Sequence, residues 1–96
     1  MKKIDLVVTR HPGLLEYLKR IGMATESTVV ISHASEADVA GKHVCVVLPH
    51  NLSCKCSFFT EIPLILPAEL RGKELSVEEV VKYAGLSRTY HVTEVL

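Results

Sequence analysis

The sequence predicts an α/β fold, with a mostly parallel sheet of about five strands flanked by helices. Three observations predict it. Short β-branched runs (IDLVVT, TVVIS, HVCVVL) alternate with segments whose apolar residues recur at helical spacing, the pattern of strand–helix–strand crossovers. The first of these runs is almost wholly apolar rather than alternating, which suits a strand buried on both faces. Finally, 96 residues with 48% hydrophobic and 23% charged content give one domain, residues 1–96, with one core, and exclude intrinsic disorder.

Residues 4–9 form the first expected strand. Pro12-Gly13 punctuates it, and Leu14, Leu15, Leu18 and Ile21 then define a helix that Gly22 ends; proline costs little in a first turn, where its missing N–H would be unpaired anyway. Residues 28–32 are a second strand, and Ser35-Glu36-Ala37-Asp38 starts a brief helical turn. Residues 43–48 are a third strand, closed by Pro49, and a short helix is expected from His50 to about Phe58. Residues 61–66 (EIPLIL) read as a fourth strand, with Pro63 placing it at an edge or in an irregular position. A polar loop over 67–74 precedes a helix that Ser76 caps, with Glu79 completing a capping box and Val77, Val80, Val81 and Ala84 forming its apolar face. Gly85 stops that helix, and residues 89–96 alternate well enough for a final strand. The sum is a single Rossmann-like domain whose second crossover is unusually brief.

Eleven Lys+Arg balance eleven Asp+Glu, for a formal net charge of zero. A protein that coats long DNA or RNA carries a basic excess, so that role is disfavoured. The balance is uneven along the chain, +3 over residues 1–23 and −3 over 24–41, which leaves room for a small anionic ligand. No apolar run approaches the roughly 20 residues of a membrane span, and the start of the chain does not read as a signal peptide. Three cysteines (Cys45, Cys54, Cys56) without disulfide-framework spacing fit a reducing cytoplasm. The apolar content of so small a domain predicts a homodimer.

Val8-Thr9-Arg10-His11-Pro12-Gly13 is the most informative segment. It joins the carboxyl end of the first strand to the start of the first helix, where open α/β sheets bind ligands and a helix presents free N–H groups to phosphate. Thr9 offers a hydroxyl, Arg10 a bidentate phosphate donor, His11 a titratable group and Gly13 close backbone approach. The alternative is a solvated strand end. Histidine phosphatases also place an Arg-His pair there, but here Pro12 intervenes and the chain is too short for their usual fold and second histidine.

Pro49, His50 and Asn51 follow the third strand and would rise beside the first loop, where His50 and Asn51 are candidates to contact a ligand's ribose or phosphate; the alternative is that Asn51 caps a helix and His50 is incidental. His33 directly follows the second strand. Arg71-Gly72-Lys73 puts two cations around a glycine pivot, either closing over an anion or satisfied by Glu69 and Glu74. His50, Cys54 and Cys56 lack the paired spacing of a structural zinc site, so no metal or other cofactor is expected, and the thiols read as small buried groups.

Taken together, V-V-T-R-H-P-G, G-K-H-V-C-V-V-L-P-H-N-L and P-A-E-L-R-G-K-E-L-S resemble the small stand-alone Csx proteins of type III CRISPR loci, specifically the sixteenth Csx group. That family looks related to CARF-type Rossmann-like domains. The resemblance covers roughly residues 5–80 and carries Thr9, Arg10, His11, Gly13, Leu48, Pro49, Arg71, Gly72 and Lys73 as motif positions. It implies a homodimer that binds cyclic oligoadenylate, with the tetra-adenylate the expected ring, across its two-fold axis. It further implies a ring nuclease that switches off antiviral signalling, without saying which motif positions are catalytic; from side-chain chemistry Arg10 is expected to stabilise the phosphorane charge and His11 to transfer or position the proton. The rivals are a protein that binds or senses the same messenger without cleaving it, and a plain dimerisation module.

Overall fold

The computed structural model describes residues 3–96. Five strands, β1 (Leu6–Val8), β2 (Val29–Ile31), β3 (His43–Val46), β4 (Phe58–Glu61) and β5 (Arg88–Tyr90), form one sheet in the order β2-β1-β3-β4-β5. The first four are mutually parallel, and β5 runs antiparallel to β4. The expected Rossmann-like architecture is therefore present.

Residue alternation along the central strands builds two cores. Val7 and Cys45 join Leu14, Leu18 and Val80 under α1 (Pro12–Arg20) and α4 (Val77–Tyr83). Leu6, Val8 and Val44 point the other way, into a core with Val39 of α2 (Glu36–Val39), and Leu52 of α3 (His50–Ser53) packs against it. Leu18, Val39 and Val80 are wholly buried, each contributing about 1.5–3 kcal/mol by leaving water.

Helix ends follow their sequence signals. At the end of α1, Met23 N–H bonds Leu18 C=O at 2.9 Å and Gly22 N–H bonds Lys19 C=O at 3.2 Å, a Schellman motif that needs Gly22 at φ +80°. At the start of α4, Glu79 N–H bonds Ser76 Oγ at 3.2 Å, while Ser76 N–H bonds Glu79 Oε1 at 3.0 Å.

Three expectations need correction. The fourth strand lies at Phe58–Glu61, not 61–66. Pro63 has no N–H for a ladder, whereas the run Phe58-Phe59-Thr60 aligns with His43, Val44 and Cys45 of β3. The preceding helix consequently stops at Ser53 rather than near Phe58. The last strand is the short Arg88–Tyr90, where 89–96 was expected. Its reversed direction has a physical cause: Ile65 N–H bonds Tyr83 C=O at 3.0 Å and Gly85 N–H bonds Pro63 C=O at 2.7 Å. These bonds hold the end of α4 beside the chain leaving β4, so the chain re-enters the sheet from that edge.

His43, at the opposite end of β3, is buried and fully bonded. Its Nδ1 lies 3.1 Å from Lys3 C=O and its Nε2 2.6 Å from Thr60 Oγ1, which in turn lies 2.8 Å from Thr89 Oγ1. A carbonyl only accepts, so Nδ1 carries a proton. This chain ties β3, β4 and β5 together and gives His43 a structural role. Among the described residues no helix is long and apolar enough to cross a membrane.

Candidate functional site

In the order β2-β1-β3-β4 the chain leaves β1 toward β2 and leaves β3 toward β4, on opposite sides, which makes the gap between the carboxyl ends of β1 and β3 the switch point where such sheets bind ligands. A hollow of about 330 Å³ lies there, with Val8, Val46, Ile62 and Leu64 in its walls and Thr9, Arg10, His11 and Ser32 contributing polar groups.

Each polar side chain is positioned by local bonding. Thr9 N–H continues the ladder to Ile31 C=O at 3.0 Å, and its Oγ1 accepts from His11 N–H at 3.1 Å, which fixes the turn out of β1. His11 is the N-cap residue of α1, with extended backbone (φ −102°, ψ 107°) and its side chain free of a capping bond. Arg10 Nη2 lies 2.7 Å from His33 Nε2 and 3.2 Å from its Nδ1. A guanidinium only donates, so the closer nitrogen is the acceptor and that face of His33 is unprotonated. His33 thus holds Arg10 instead of lining the hollow itself.

Gly13 has a packing role. It is buried, and a Cβ built on it would overlap Leu75 O and approach Ser76 C to 2.9 Å and Val77 N to 3.1 Å. The sequence assigns this glycine to close approach by a ligand; what lies against it is the N-terminus of α4. This contact brings the Gly72–Lys73 turn beside His11, and the three line a second hollow of about 190 Å³ with Leu66, Leu75 and Val80. Gly72 takes φ +78°, which favours glycine. Arg71 is exposed at the end of a 3₁₀ turn (Ala68–Leu70) and lines neither hollow. Among the described residues Arg10, Arg71 and Lys73 form no ion pair, so neither Glu69 nor Glu74 is in contact with a cation of the loop.

Pro49 is the N-cap residue of α3. His50 and Asn51 lie apart from the first loop: they face a cavity of about 600 Å³ between α3 and the C-terminal segment, with Cys54, Lys55, Val92 and Glu94. The structure joins Thr9, Arg10, His11, Gly72 and Lys73 with His33 behind Arg10, and leaves His50 and Asn51 elsewhere. Burial pushes the Cys45 thiol up to about 12 and raises that of Cys56, and all three cysteines are free. Among the described residues no three side chains of metal-ligating type converge.

Sequence reasoning missed the apolar walls and one backbone feature. Val46 has φ +133°, a conformation that costs a β-branched residue about 1–3 kcal/mol. It breaks the strand alternation: Cys45 and Val46 both enter the α1/α4 core. Val47 is left 72% exposed at the mouth of the first hollow. Ser32, expected as the last residue of the second strand, lies just beyond β2, which ends at Ile31.

A family model described as "Putative CRISPR-associated protein (Cas_VVA1548)" matches residues 6–93. No curated protein and no solved structure matches the chain.

Proposed function

The chain belongs to this CRISPR-associated family, and from that premise we propose that it is a ring nuclease of type III systems, related to CARF domains, that binds and cleaves cyclic oligoadenylate. The observation that carries the reading is the convergence of Thr9, Arg10 and His11 with Gly72 and Lys73 at the carboxyl edge of the sheet. The cations there have no carboxylate partner among the described residues. Unanswered positive charge around apolar hollows suits a small anion bearing bases, and a chain of zero net charge does not suit a long polymer.

In the proposed reaction a ribose 2′-OH attacks the adjacent phosphorus in line. The P–O5′ bond breaks, the 5′ oxygen takes a proton and leaves as a hydroxyl, and a 2′,3′-cyclic phosphate remains. No metal, water or redox partner is consumed. Arg10, steadied by His33 at 2.7 Å, stabilises the charge that gathers on the phosphorane, a contribution typically worth 10²–10³ in rate for one well-placed donor. His11, exposed at the start of α1, handles the proton. Lys73 clamps the neighbouring phosphate, and Arg71, exposed on the same loop outside both hollows, adds positive charge from a distance. Two copies related by a two-fold axis would present each set twice to a cyclic ligand.

The test is incubation of EDTA-treated protein with cyclic tetra-adenylate, followed by chromatography of the products. Linear fragments ending in 2′,3′-cyclic phosphate are expected, with the rate falling roughly a hundredfold or more in Arg10→Ala and His11→Ala. Binding without products would leave a sequestering protein. No binding would end both readings.

A further inference from the structure

Building on the adenylate reading, we propose that each chain seats two neighbouring bases of its ligand, one in each hollow at the carboxyl edge, with the phosphodiester between them at His11. The two hollows are adjoining spaces with a common wall: His11, Leu14 and Leu64 line both. One opens at the switch point between β1 and β3, and the other lies between α1, α4 and the Gly72–Lys73 turn.

Their chemistry alternates as a dinucleotide's does. The first has an apolar floor (Val8, Val46, Ile62) with hydroxyls from Thr9 and Ser32 for the polar edge of a base. The second is walled by Leu66, Leu75 and Val80 and has Lys73 among its lining residues. Arg10 lines the first hollow alone, Lys73 the second alone, and His11 belongs to both. A phosphate between two seated bases therefore meets His11, with a cation on either side. Bare polyphosphate would leave both apolar spaces empty, and a mononucleotide would fill one.

The rigidity of the partition supports the assignment. Gly13, two residues beyond His11, is packed against the backbone of Leu75, Ser76 and Val77, so α1 holds the second hollow at a fixed offset from the first. Seating is then additive: the second base binds a preformed space instead of ordering one. Two seats per chain make four in a two-fold dimer, which matches a ring of four nucleotides.

The experiment is calorimetric titration of the full chain with adenosine 5′-monophosphate, linear ApA and cyclic tetra-adenylate. Wild-type protein is expected to bind ApA roughly tenfold or more tighter than the monophosphate. Leu66→Trp, which fills the second hollow, brings that ratio close to one. Because Leu66 packs against the core, the exposed Lys73→Glu serves as a second variant, expected to weaken ApA more than the monophosphate. Equal affinities of wild type for the two ligands, or variants that weaken both ligands equally, would overturn the two-seat arrangement while leaving the adenylate reading intact. Failure of wild type to bind any of the three would overturn both.

Discussion

Replacing Gly13 with alanine isolates the contact on which the site's geometry depends. The added methyl would overlap Leu75 O and lie 2.9 Å from Ser76 C and 3.1 Å from Val77 N. All three are backbone atoms, and Ser76 is held by its reciprocal bonds with Glu79, so no flexible side chain can swing aside. Overpacking of this kind costs about 1–3 kcal/mol. Alanine recovers at most about 1 kcal/mol of helix propensity, and less in a first turn. The net expectation is a loss of about 1–2 kcal/mol, a fall in Tm of roughly 5–15 °C for a domain of this size. Urea denaturation followed by circular dichroism measures it, with an unchanged m-value showing that the folded state is still compact. Gly22→Ala is the control: its φ of +80° makes alanine strained, but no atom of the described residues lies within 4 Å of the new methyl. Both variants lose stability, and only Gly13→Ala also displaces the Gly72–Lys73 turn and weakens ligand binding. A Gly13→Ala protein as stable as wild type would refute the reasoning, because helix propensity would then have outweighed the clash.

Three further perturbations test other parts of the account. His33→Ala should lower cleavage several-fold by freeing Arg10, whereas His33→Gln, which keeps a neutral acceptor, should restore most of it; equal loss in both would deny His33 its positioning role. Cys45 has a folded-state pKa raised from 9.0 to about 12, so it favours the fold fully below pH 9. That contribution then declines by about 1.4 kcal/mol per pH unit as pH rises from 9 toward 12. Denaturation at pH 8, 9 and 10 should show a steeper decline in wild type than in Cys45→Ala, and parallel declines would contradict the assignment. Val46→Gly should be close to neutral, since relief of about 1–3 kcal/mol of strain offsets about 2 kcal/mol of lost burial; Val44→Gly, buried without strain, should cost clearly more. Equal costs in denaturation would mean that Val46 is unstrained.

The parts of the fold that a sequence shows are those governed by local chemistry. Pro12, Gly22, Ser76 and Glu79 each do what their residue type does at a helix end, and the β-branched runs around β1 and β3 became the buried centre of the sheet. The fourth strand was misread because EIPLIL and SFFTE are both apolar enough to pair, and the choice between them rests on the register with Val44 and on the missing N–H of Pro63. The direction of β5 depends on bonds between Tyr83, Gly85 and the segment after β4, contacts between residues about 20 apart in sequence. At the site, Thr9, Arg10 and His11 were legible because they immediately follow a strand. The pairing of Arg10 with His33 and the walls formed by Leu64 and Leu66 were not, since apolar residues near strand ends read as ordinary core. His50 and Asn51 follow β3 as expected, but α3 turns them toward the opposite layer.

The neutrality of the whole chain conceals how charge is allotted to this edge. Gly13 near the start of α1 touches Ser76 at the start of α4, so two helix N-termini, each carrying partial positive charge, lie side by side. They are treated differently. Glu78 and Glu79 occupy the first turn of α4 and answer its dipole, whereas the first turn of α1 has no acid. Lys19 and Arg20 complement the dipole at the far end of α1 and engage Glu26 and Glu16. What remains unanswered is the end of α1 that carries His11, flanked by Arg10 and Lys73. Eleven acids suffice to cancel eleven bases in the sum, yet among the described residues none forms an ion pair with Arg10 or Lys73. One of two adjacent helix ends is thus answered by acids and the other is not, and the proposed reading puts the ligand's phosphate at the unanswered end, on the wall between the two hollows.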